Sequence, residues 1–351
     1  MKKETSKKIS ELRRDPVTRD WIVIATGRGK RPNDFAGSKK AETAYVSKKE
    51  CPFEDPKAHG NSEPILILDR SGKEIKKDSP DWFVQVVPNK YPAFSGTAKQ
   101  RHARYVGPYT VLDGTGFHEV VIMRDHDRSF DAISQAEAQS VISAYAIRFN
   151  NLSLRPTIHY VSIFHNFGKE AGASLYHPHS QIMAIPVVPP DVSKSLAGSK
   201  RYFEDHGKCV HCEMIAWEKK DGKRIVFENA YFIAFCPFVS RSAFEIRIFP
   251  KAHEPTFKNI SMEEIGECAE ALRNILTRIS LALNKPAYNF FIHTSPIDLE
   301  NEENRFYPHY HWHIEILPKT AIWAGFELGT GIEISTIEPE TAAQFLRKFK
   351  T

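Results

Sequence analysis

Residues 177–186 read HPHSQIMAIP, and residues 309–318 read HYHWHIEILP. Each segment begins with alternating histidines, continues into apolar residues and ends at a proline. Short apolar runs with these boundaries predict β-strands, on which every second side chain lies on the same face of the sheet. We therefore expect His177, His179 and Gln181 to point in the same direction.

The sequence before each of these strands follows the same order in both halves of the chain. A strand leads into a Pro-marked loop, another strand (HEVVIMRDH or FEIRIFPKAH) ends near a histidine, and a helix and a strand (SIFHN or FFIHT) follow. This repeated order predicts an internal duplication. Because strands often follow one another without a helix between them, we predict an α+β fold of two tandem domains, each a mostly antiparallel sheet packed against a long helix.

The boundary between the two halves is expected in the segment PPDVSKSLAGSKRYF, at residues 189–203. Its proline, serine and glycine residues predict a break in regular structure. We therefore assign residues 1–195 to an N-terminal domain, which carries the nucleophile, and residues 196–351 to a C-terminal domain.

The composition is that of a globular protein, and its small positive charge suits an anionic substrate slightly. The chain has 351 residues, 41% of them hydrophobic, and a net charge of +5, which does not require a nucleic acid partner. It has no apolar run of roughly 18 residues, and its N-terminus, MKKETSKKIS, is charged. We therefore expect no membrane span, no secretory signal and a cytoplasmic location.

The segment before the first histidine strand suggests that His179 is a nucleophile. It reads HNFGKEAGASLY, in which Gly168, Gly172 and Ser174 would let backbone N–H groups approach phosphate oxygens and Lys169 would add positive charge. Phosphoryl transfer needs positioning and charge stabilisation of this kind, and Gln181 can donate to a phosphoryl oxygen. The alternative is a pair of hydrogen-bonded structural histidines.

A rival active site lies in the second half, where His309, His311 and His313 alternate along one strand. Three alternating histidines are closer to a histidine-triad hydrolase pattern than the first half is. However, the preceding loop reads DLENEEN, and its carboxylates would repel a polyphosphate. Electrostatics therefore favours His179.

Two cysteine segments have the spacing of metal ligands. Cys209 and Cys212 form a CxxC pair that indicates zinc in a reducing compartment, with His253 and His311 as candidate further ligands. Cys51-Pro52-Phe53-Glu54 has the same spacing with a carboxylate second. A CxxC without metal is the alternative. The two remaining cysteines, Cys236 and Cys268, lie in apolar contexts and are expected in the core.

Taken together, these motifs resemble the galactose-1-phosphate uridylyltransferase family of the histidine-triad superfamily, in particular the branch that includes the plant ADP-glucose phosphorylase. The resemblance extends from RRDPVTRDWIVIATGRGKRP to GFELGTGIEI. It rests on CPF, VVPNKYPAF, GFHEVVI, GASLYHPHSQIMAIPVVPP, CVHC and HWHIEILP. It implies two tandem histidine-triad-like domains, a homodimer, and ping-pong transfer of a nucleoside monophosphate between a nucleotide sugar and a sugar 1-phosphate or phosphate.

The resemblance also implies roles for individual residues. The second histidine of HPH, His179, would be the nucleophile, with Gln181 as its partner, and Glu327 would contact the hexose. The residues that would contact phosphate and nucleotide are Arg28, Arg31, Asn89, Asn166 and Ser174. From the residues alone, the arginines of GRGKRP could instead lie in a solvated loop, and Asn89 could cap a turn.

Two zinc sites are implied by the same resemblance, and both would be structural. The first would use Cys51, Glu54, His126 and His177, with Glu54 in place of the usual cysteine. That departure leaves either a zinc with one carboxylate ligand or a weakened site. The second would use Cys209, Cys212, His253 and His311.

The substrate is less closely defined by the sequence. Beyond Glu327 the chain reads LGTGIEIS, whose GTG resembles the plant-type branch. Uracil and adenine both remain candidates for the base, and galactose 1-phosphate and inorganic phosphate for the acceptor. A histidine-triad hydrolase and a zinc-stabilised binding protein are the competing functions.

Overall fold

The structure is a computed structural model that describes residues 9–26, 45–96, 103–297 and 307–350. Of the residues with an expected role, Arg28 and Arg31 lie outside these ranges, as does the acidic segment 298–304.

The described residues form fifteen strands and six helices. The strands are β1 (Glu11–Arg14), β2 (Trp21–Ile24), β3 (Leu66–Leu68), β4 (Val84–Pro88), β5 (Arg104–Val106), β6 (Tyr109–Val111), β7 (Phe117–Met123), β8 (Tyr160–Phe167), β9 (His179–Ile185), β10 (Ile225–Glu228), β11 (Phe232–Phe235), β12 (Ile246–Pro250), β13 (Tyr288–His293), β14 (His313–Pro318) and β15 (Ile334–Ser335). The helices are α1 (Gln135–Ser153), α2 (Pro190–His206), α3 (Val210–Asp221), α4 (Met262–Leu283), α5 (Gly325–Thr330) and α6 (Pro339–Leu346).

Ten of the strands form one antiparallel sheet with the order β10-β11-β12-β14-β13-β8-β9-β7-β4-β3. On either side of the central β8–β13 pair, the strands follow one another in the same order. Thus β9, β7, β4 and β3 correspond to β14, β12, β11 and β10. The predicted α+β class with mostly antiparallel pairing is confirmed, and the two matched halves share one continuous sheet.

The two long helices cover one face of this sheet. Both begin at a capping box, in which Ser134 and Glu137, or Ser261 and Glu264, satisfy each other's backbone N–H groups. Helices α1 and α4 contact each other and bury the largest apolar cluster of the protein against β4, β7–β9 and β11–β14. Cys268 and Cys236 are fully buried there, as expected.

The opposite face of the sheet is called here the outer face. The first histidines of β9 and β14, His179 and His313, have their side chains on this face. Tyr145 of α1 contacts Ser180 of β9, so the flanking residues His179 and Gln181 point to the outer face. In the first half this face is partly covered by a cluster that includes Cys51 and Phe53. In the second half it is partly covered by α3.

The expected break at residues 189–203 is wrong, because most of this segment forms α2. Its prolines are compatible with a helix, since proline at the first helical position needs no N–H partner. Its glycine has a packing role: a Cβ atom at Gly198 would lie 1.8 Å from the Val17 carbonyl oxygen. Gly198 therefore allows α2 to pack closely against the backbone of Val17.

The division at residue 195 stays a prediction, and two features bear on it. Helix α2 crosses that position, and β2 pairs in parallel with β15 near the other end of the chain. Arg13 in β1 also forms an ion pair with Glu340 in α6. The N-terminal strands therefore pack on the second half. Among the described helices, none has both the length and the apolar character needed to cross a bilayer.

Candidate active site

His179 is the first residue of β9 and is held in one tautomer. Its Nδ1 lies 2.8 Å from the carbonyl oxygen of His177. A carbonyl oxygen can only accept, so Nδ1 carries the proton and donates it. Burial lowers the pKa of His179 from its ordinary value. The ring is therefore neutral at pH 7, and the unprotonated Nε2 has its lone pair available for attack.

His177 precedes the strand and does not lie on it, which differs from the expectation of three residues alternating along one strand. The His177 and His179 rings nevertheless both contact the edge or face of Phe53, with ring centroids 5.9 and 5.1 Å away. His177, whose carbonyl oxygen accepts the hydrogen bond from His179, therefore packs on the same phenylalanine as His179.

Asn166 lies across from His179 on the neighbouring strand. His165 pairs with Ser180, so the next step of the antiparallel register places Asn166 opposite His179. Asn289 of β13 donates from Nδ2 to Asn166 Oδ1 and to the Ala171 carbonyl, both at 2.8 Å. Because its oxygen is engaged, Asn166 can present its amide N–H groups to a ligand. Asn289 was not expected from the sequence, and it reaches the site from the second half of the chain.

The glycine-containing loop before β9 differs from the expected phosphate cradle. Gly168 and Gly172 both have φ +85°, which favours glycine. However, the N–H groups of residues 171–173 donate to carbonyl oxygens of Gly168 and Lys169 inside the loop itself. Ser174 is exposed at the end of the loop. A cavity of about 200 Å³ beside the loop is lined by residues that include Asn166, Tyr176, His177 and Lys285.

Gln181 is oriented by a histidine that had no assigned role. Its Oε1 lies 2.7 Å from Nε2 of His118, which is buried in β7. Asn89 lies 3.0 Å from the same nitrogen through its Nδ2. Gln181 and Asn89, two of the expected site residues, thus both contact the side chain of His118.

Glu327 lies in the first turn of α5, where its carboxylate accepts from the Ala324 N–H at 3.1 Å. Within the part of the chain that the structure describes, no hydrogen bond or ion pair joins it to the strands around His179. Its expected contact with a hexose stays a prediction.

The first expected metal group is assembled from three distant segments. Cys51 Sγ lies 3.4 Å from His177 Nδ1, and His126 joins them within 4.8 Å. His126 and His177 each direct Nε2 to a backbone carbonyl, of Val46 and Met123, at 2.8 and 2.6 Å. Both Nε2 atoms are therefore protonated, and both Nδ1 atoms present lone pairs to the centre.

Glu54 completes this group as a carboxylate. Its Oε1 lies 3.2 Å from His126 Nδ1 and 3.7 Å from His177 Nδ1. Glu54 Oε1 and His126 Nδ1 are both buried without a hydrogen-bond partner. Burial also lowers the pKa of His177 to about 4. Buried acceptors that face one another repel unless a cation lies between them, so this set fits a metal ion.

The second expected metal group contains all four of its residues. Ligand atoms of Cys209, Cys212, His253 and His311 lie within 4.8 Å of one another. Cys212 Sγ is 3.3 Å from His253 Nδ1 and 3.5 Å from His311 Nδ1, while His311 Nε2 is 3.0 Å from the Pro250 carbonyl. Hydrogen bonds from Cys212 and the two histidines lower the pKa of the Cys209 thiol. Two sulfurs and two imidazoles are a donor set that suits tetrahedral zinc.

The rival histidine triplet of the second half is divided between two environments. His311 belongs to the second metal group, whereas His313 begins β14 and directs Nδ1 to the His311 carbonyl at 3.1 Å. Glu315 follows two residues later and contacts Arg247 Nε at 3.4 Å. His313, Glu315 and His293 also form a third group of clustered ligand atoms. A carboxylate at this position would repel a phosphoryl group, which weakens the hydrolase hypothesis.

Comparisons with known proteins agree with the resemblance seen in the sequence. A family model described as galactose-1-phosphate uridyl transferase, N-terminal domain, matches residues 1–189, and one described as a domain of unknown function matches residues 111–348. An ADP-glucose phosphorylase from Arabidopsis thaliana is 35% identical over 96% of this chain and 92% of its own length. A galactose-1-phosphate uridylyltransferase from Thermotoga maritima is 28% identical over 96% of this chain and 98% of its own.

Solved structures give the same result. An Arabidopsis thaliana ADP-glucose phosphorylase with bound ADP-glucose superposes with a TM-score of 0.78 at 32% identity, covering 98% of this chain and 100% of that one. A structure described as a uridylyltransferase superposes with a TM-score of 0.70 at 25% identity, covering 97% and 98%.

Proposed function

The chain belongs to the galactose-1-phosphate uridylyltransferase family, and from that premise we propose that it transfers a nucleoside monophosphate through a covalent bond to His179. The enzyme is a nucleotidyltransferase of this type. The observation that carries the role of His179 is its tautomer: Nδ1 donates to the His177 carbonyl, which leaves Nε2 unprotonated on the outer face.

The transfer takes two steps. Nε2 of His179 attacks the α-phosphorus of a nucleotide sugar, and the bond from that phosphorus to the sugar phosphate oxygen breaks, with its electron pair leaving on the oxygen. An oxygen of the acceptor phosphate then attacks the same phosphorus, and the electron pair of the P–N bond returns to Nε2. The Nδ1 proton stays on the ring throughout. Since the leaving sugar phosphate is a weak base, no general acid is needed.

Gln181 and Asn166 donate to the nonbridging phosphoryl oxygens in this proposal. Both lie on the outer face beside His179, and both amides have their oxygens engaged by a neighbouring side chain. Neutral N–H donors stabilise the charge that develops on the phosphoryl group without adding a titrating group. Asn89 and Ser174 would contact other parts of the nucleotide, together with Arg28 and Arg31.

The donor that we propose is a UDP-hexose, and the acceptor is a sugar 1-phosphate such as galactose 1-phosphate. This follows the description of the matching family and the Thermotoga maritima relative. A second candidate is adenylyl transfer from ADP-glucose to inorganic phosphate. It is supported by the 35% identity to the Arabidopsis thaliana ADP-glucose phosphorylase and by a structural neighbour with bound ADP-glucose.

Zinc is the proposed cofactor of both metal groups. Cys51, Glu54, His126 and His177 would hold one ion, and Cys209, Cys212, His253 and His311 the other. The ions would be structural: the first would fix His177, whose carbonyl sets the tautomer of His179. A cytoplasmic homodimer stays a prediction.

The test uses UDP-glucose and ADP-glucose that carry ³²P at the α-phosphorus. We expect one of them to label the protein in the absence of acceptor, and His179→Ala to abolish both labelling and exchange with the sugar phosphate. His313→Ala, the matched change at the corresponding residue of β14, should still be labelled. Exchange that survives in His179→Ala would disprove the role of His179. Chasing the label with galactose 1-phosphate or with phosphate then identifies the acceptor.

A further inference from the structure

His118 is a buried side chain next to the proposed site, and it contacts no substrate atom in the steps above. It lies in β7, where it pairs with Met183, and Val120 two residues later pairs with Gln181. His118 and Gln181 are therefore on the outer face, one diagonal step apart on neighbouring strands. The His118 ring is held at both nitrogens: Nδ1 lies 3.1 Å from the backbone nitrogen of Ala93, and Nε2 lies 2.7 Å from Gln181 Oε1.

The Ala93 contact determines which nitrogen of His118 carries the proton. A backbone N–H can only donate, so Nδ1 must accept and cannot itself be protonated. The proton of the ring is consequently on Nε2. From there it is donated to Gln181, whose carbonyl oxygen is the acceptor. The backbone of residue 93 thus sets the direction of a hydrogen bond that ends at Gln181.

This hydrogen bond fixes the amide of Gln181. With Oε1 engaged by His118, the amide nitrogen points the other way, and none of the described residues accepts a hydrogen bond from it. Asn89 is oriented in a similar manner, because its Oδ1 accepts from the Tyr91 N–H at 2.9 Å. Its Nδ2 lies 3.0 Å from His118 Nε2, but the proton on Nε2 leaves it no acceptor there. Two amides therefore keep N–H groups free beside His118.

We propose that His118 is a positioning residue for nucleotidyl transfer, which fixes the Gln181 amide so that its N–H groups face the phosphoryl group on His179. This inference rests on the proposed function. An amide that lacked the His118 hydrogen bond could rotate by 180° and present its oxygen. That oxygen would repel the phosphoryl oxygens, so the rate of transfer would fall while binding of the rest of the nucleotide sugar would change little.

The kinetic test compares His118→Leu with His118→Gln in the full chain. Leucine removes the donor, whereas the glutamine amide can restore an N–H near the position of Nε2. We expect His118→Leu to lower kcat by about 10- to 100-fold with KM for the nucleotide sugar within about 3-fold, and His118→Gln to recover most of the loss. In a Gln181→Ala background, His118→Leu should cost no more than about a further 2-fold.

Three results would overturn the proposal: full activity of His118→Leu, an equal loss from His118→Leu in the Gln181→Ala background, or a rise in KM alone.

The tautomer of His118 can also be measured without turnover, by NMR of the ligand-free protein with ¹⁵N-labelled histidine. We expect the Nε2–H form and a shift of its signal in Gln181→Ala. An Nδ1–H form would contradict the proposal even if His118→Leu did not fold. If no nucleotide sugar labels His179, the proposed function is rejected instead. The NMR result on the His118 tautomer would not be affected by that outcome.

Discussion

Glu315 lies two residues after His313 in β14, as Gln181 lies two residues after His179 in β9. Both histidines begin their strands and both direct Nδ1 to the carbonyl of the histidine two residues earlier. The two sites thus share a backbone arrangement and differ in the charge of the following side chain. Burial alone would raise the pKa of Glu315, but the charges of Arg247 and Arg241 help to bring it below its ordinary value, so Glu315 is ionised at neutral pH.

The charge at residue 181 should therefore control transfer. We expect Gln181→Glu to slow labelling of His179 by a factor on the order of 10² to 10³, because a carboxylate would repel the phosphoryl oxygens that the amide stabilises. Rapid-quench measurement of the first step with labelled nucleotide sugar gives this rate. Glu315→Gln is the reverse change in the other half, and the folded variant should retain its labelling rate. A similar loss in both variants would contradict the assignment of the site to β9.

The two metal groups should differ in affinity for zinc. We expect one or two zinc ions per chain. The Cys51 group should lose its ion first to a competing chelator, since it has one thiolate where the second group has two. Elemental analysis during a chelator titration would measure this order. Glu54→Cys should bring the two affinities closer together. Cys212→Ser should remove the second ion, and Cys236→Ala, a change in the core, should remove neither. Protein purified without chelator that contains no zinc would refute both assignments.

Stability should fall at mildly acidic pH because of His165. This side chain is buried between Phe130 and Phe290, and burial lowers its pKa to about 3. The unfolded chain, with a pKa near 6.5, takes up a proton below that value while the folded protein does not, so stability is lost as pH falls. His165 alone should cost about 1.3 kcal/mol between pH 7 and pH 5.5. Denaturant unfolding at both pH values should show His165→Leu losing less stability than the unchanged protein. An equal loss in both would argue against this origin.

Two helical glycines should respond oppositely to alanine. At Gly198 in α2 a Cβ would meet the Val17 carbonyl, so Gly198→Ala should destabilise the protein by about 2 kcal/mol. At Gly266 in α4 the nearest atom to a Cβ is Gln139 Oε1 at 3.7 Å, so Gly266→Ala should stabilise it by roughly 0.5–1 kcal/mol. Thermal unfolding would compare the two variants. Equal effects would mean that the contact with Val17 does not constrain α2.

The first metal group as a whole was expected only from the family resemblance, because its residues lie in three distant segments. Most strands of the large sheet, the two long helices and the Cys209–Cys212 pair were predictable because their signals are local. Apolar runs predict strands, Ser134 and Ser261 begin capping boxes, and CxxC has a characteristic spacing. Helix α2 was missed because Gly198 has the same appearance in the sequence whether it breaks a helix or permits a close contact. The roles of His118 and Asn289 depend on strand register between distant segments, which the spacing of residues along the chain does not specify.

The pairing of β8 with β13 has a consequence for the origin of the chain. Either half alone would end in an unpaired strand, whose N–H and carbonyl groups would recruit another chain. Because the strand order is mirrored about this pair, the partner that each half needs is a copy of itself. The two halves therefore pair with each other as two subunits of a symmetric dimer would, but within a single chain. Within that single chain the two halves differ at the position two residues after the first histidine of the strand, which is Gln181 in β9 and Glu315 in β14.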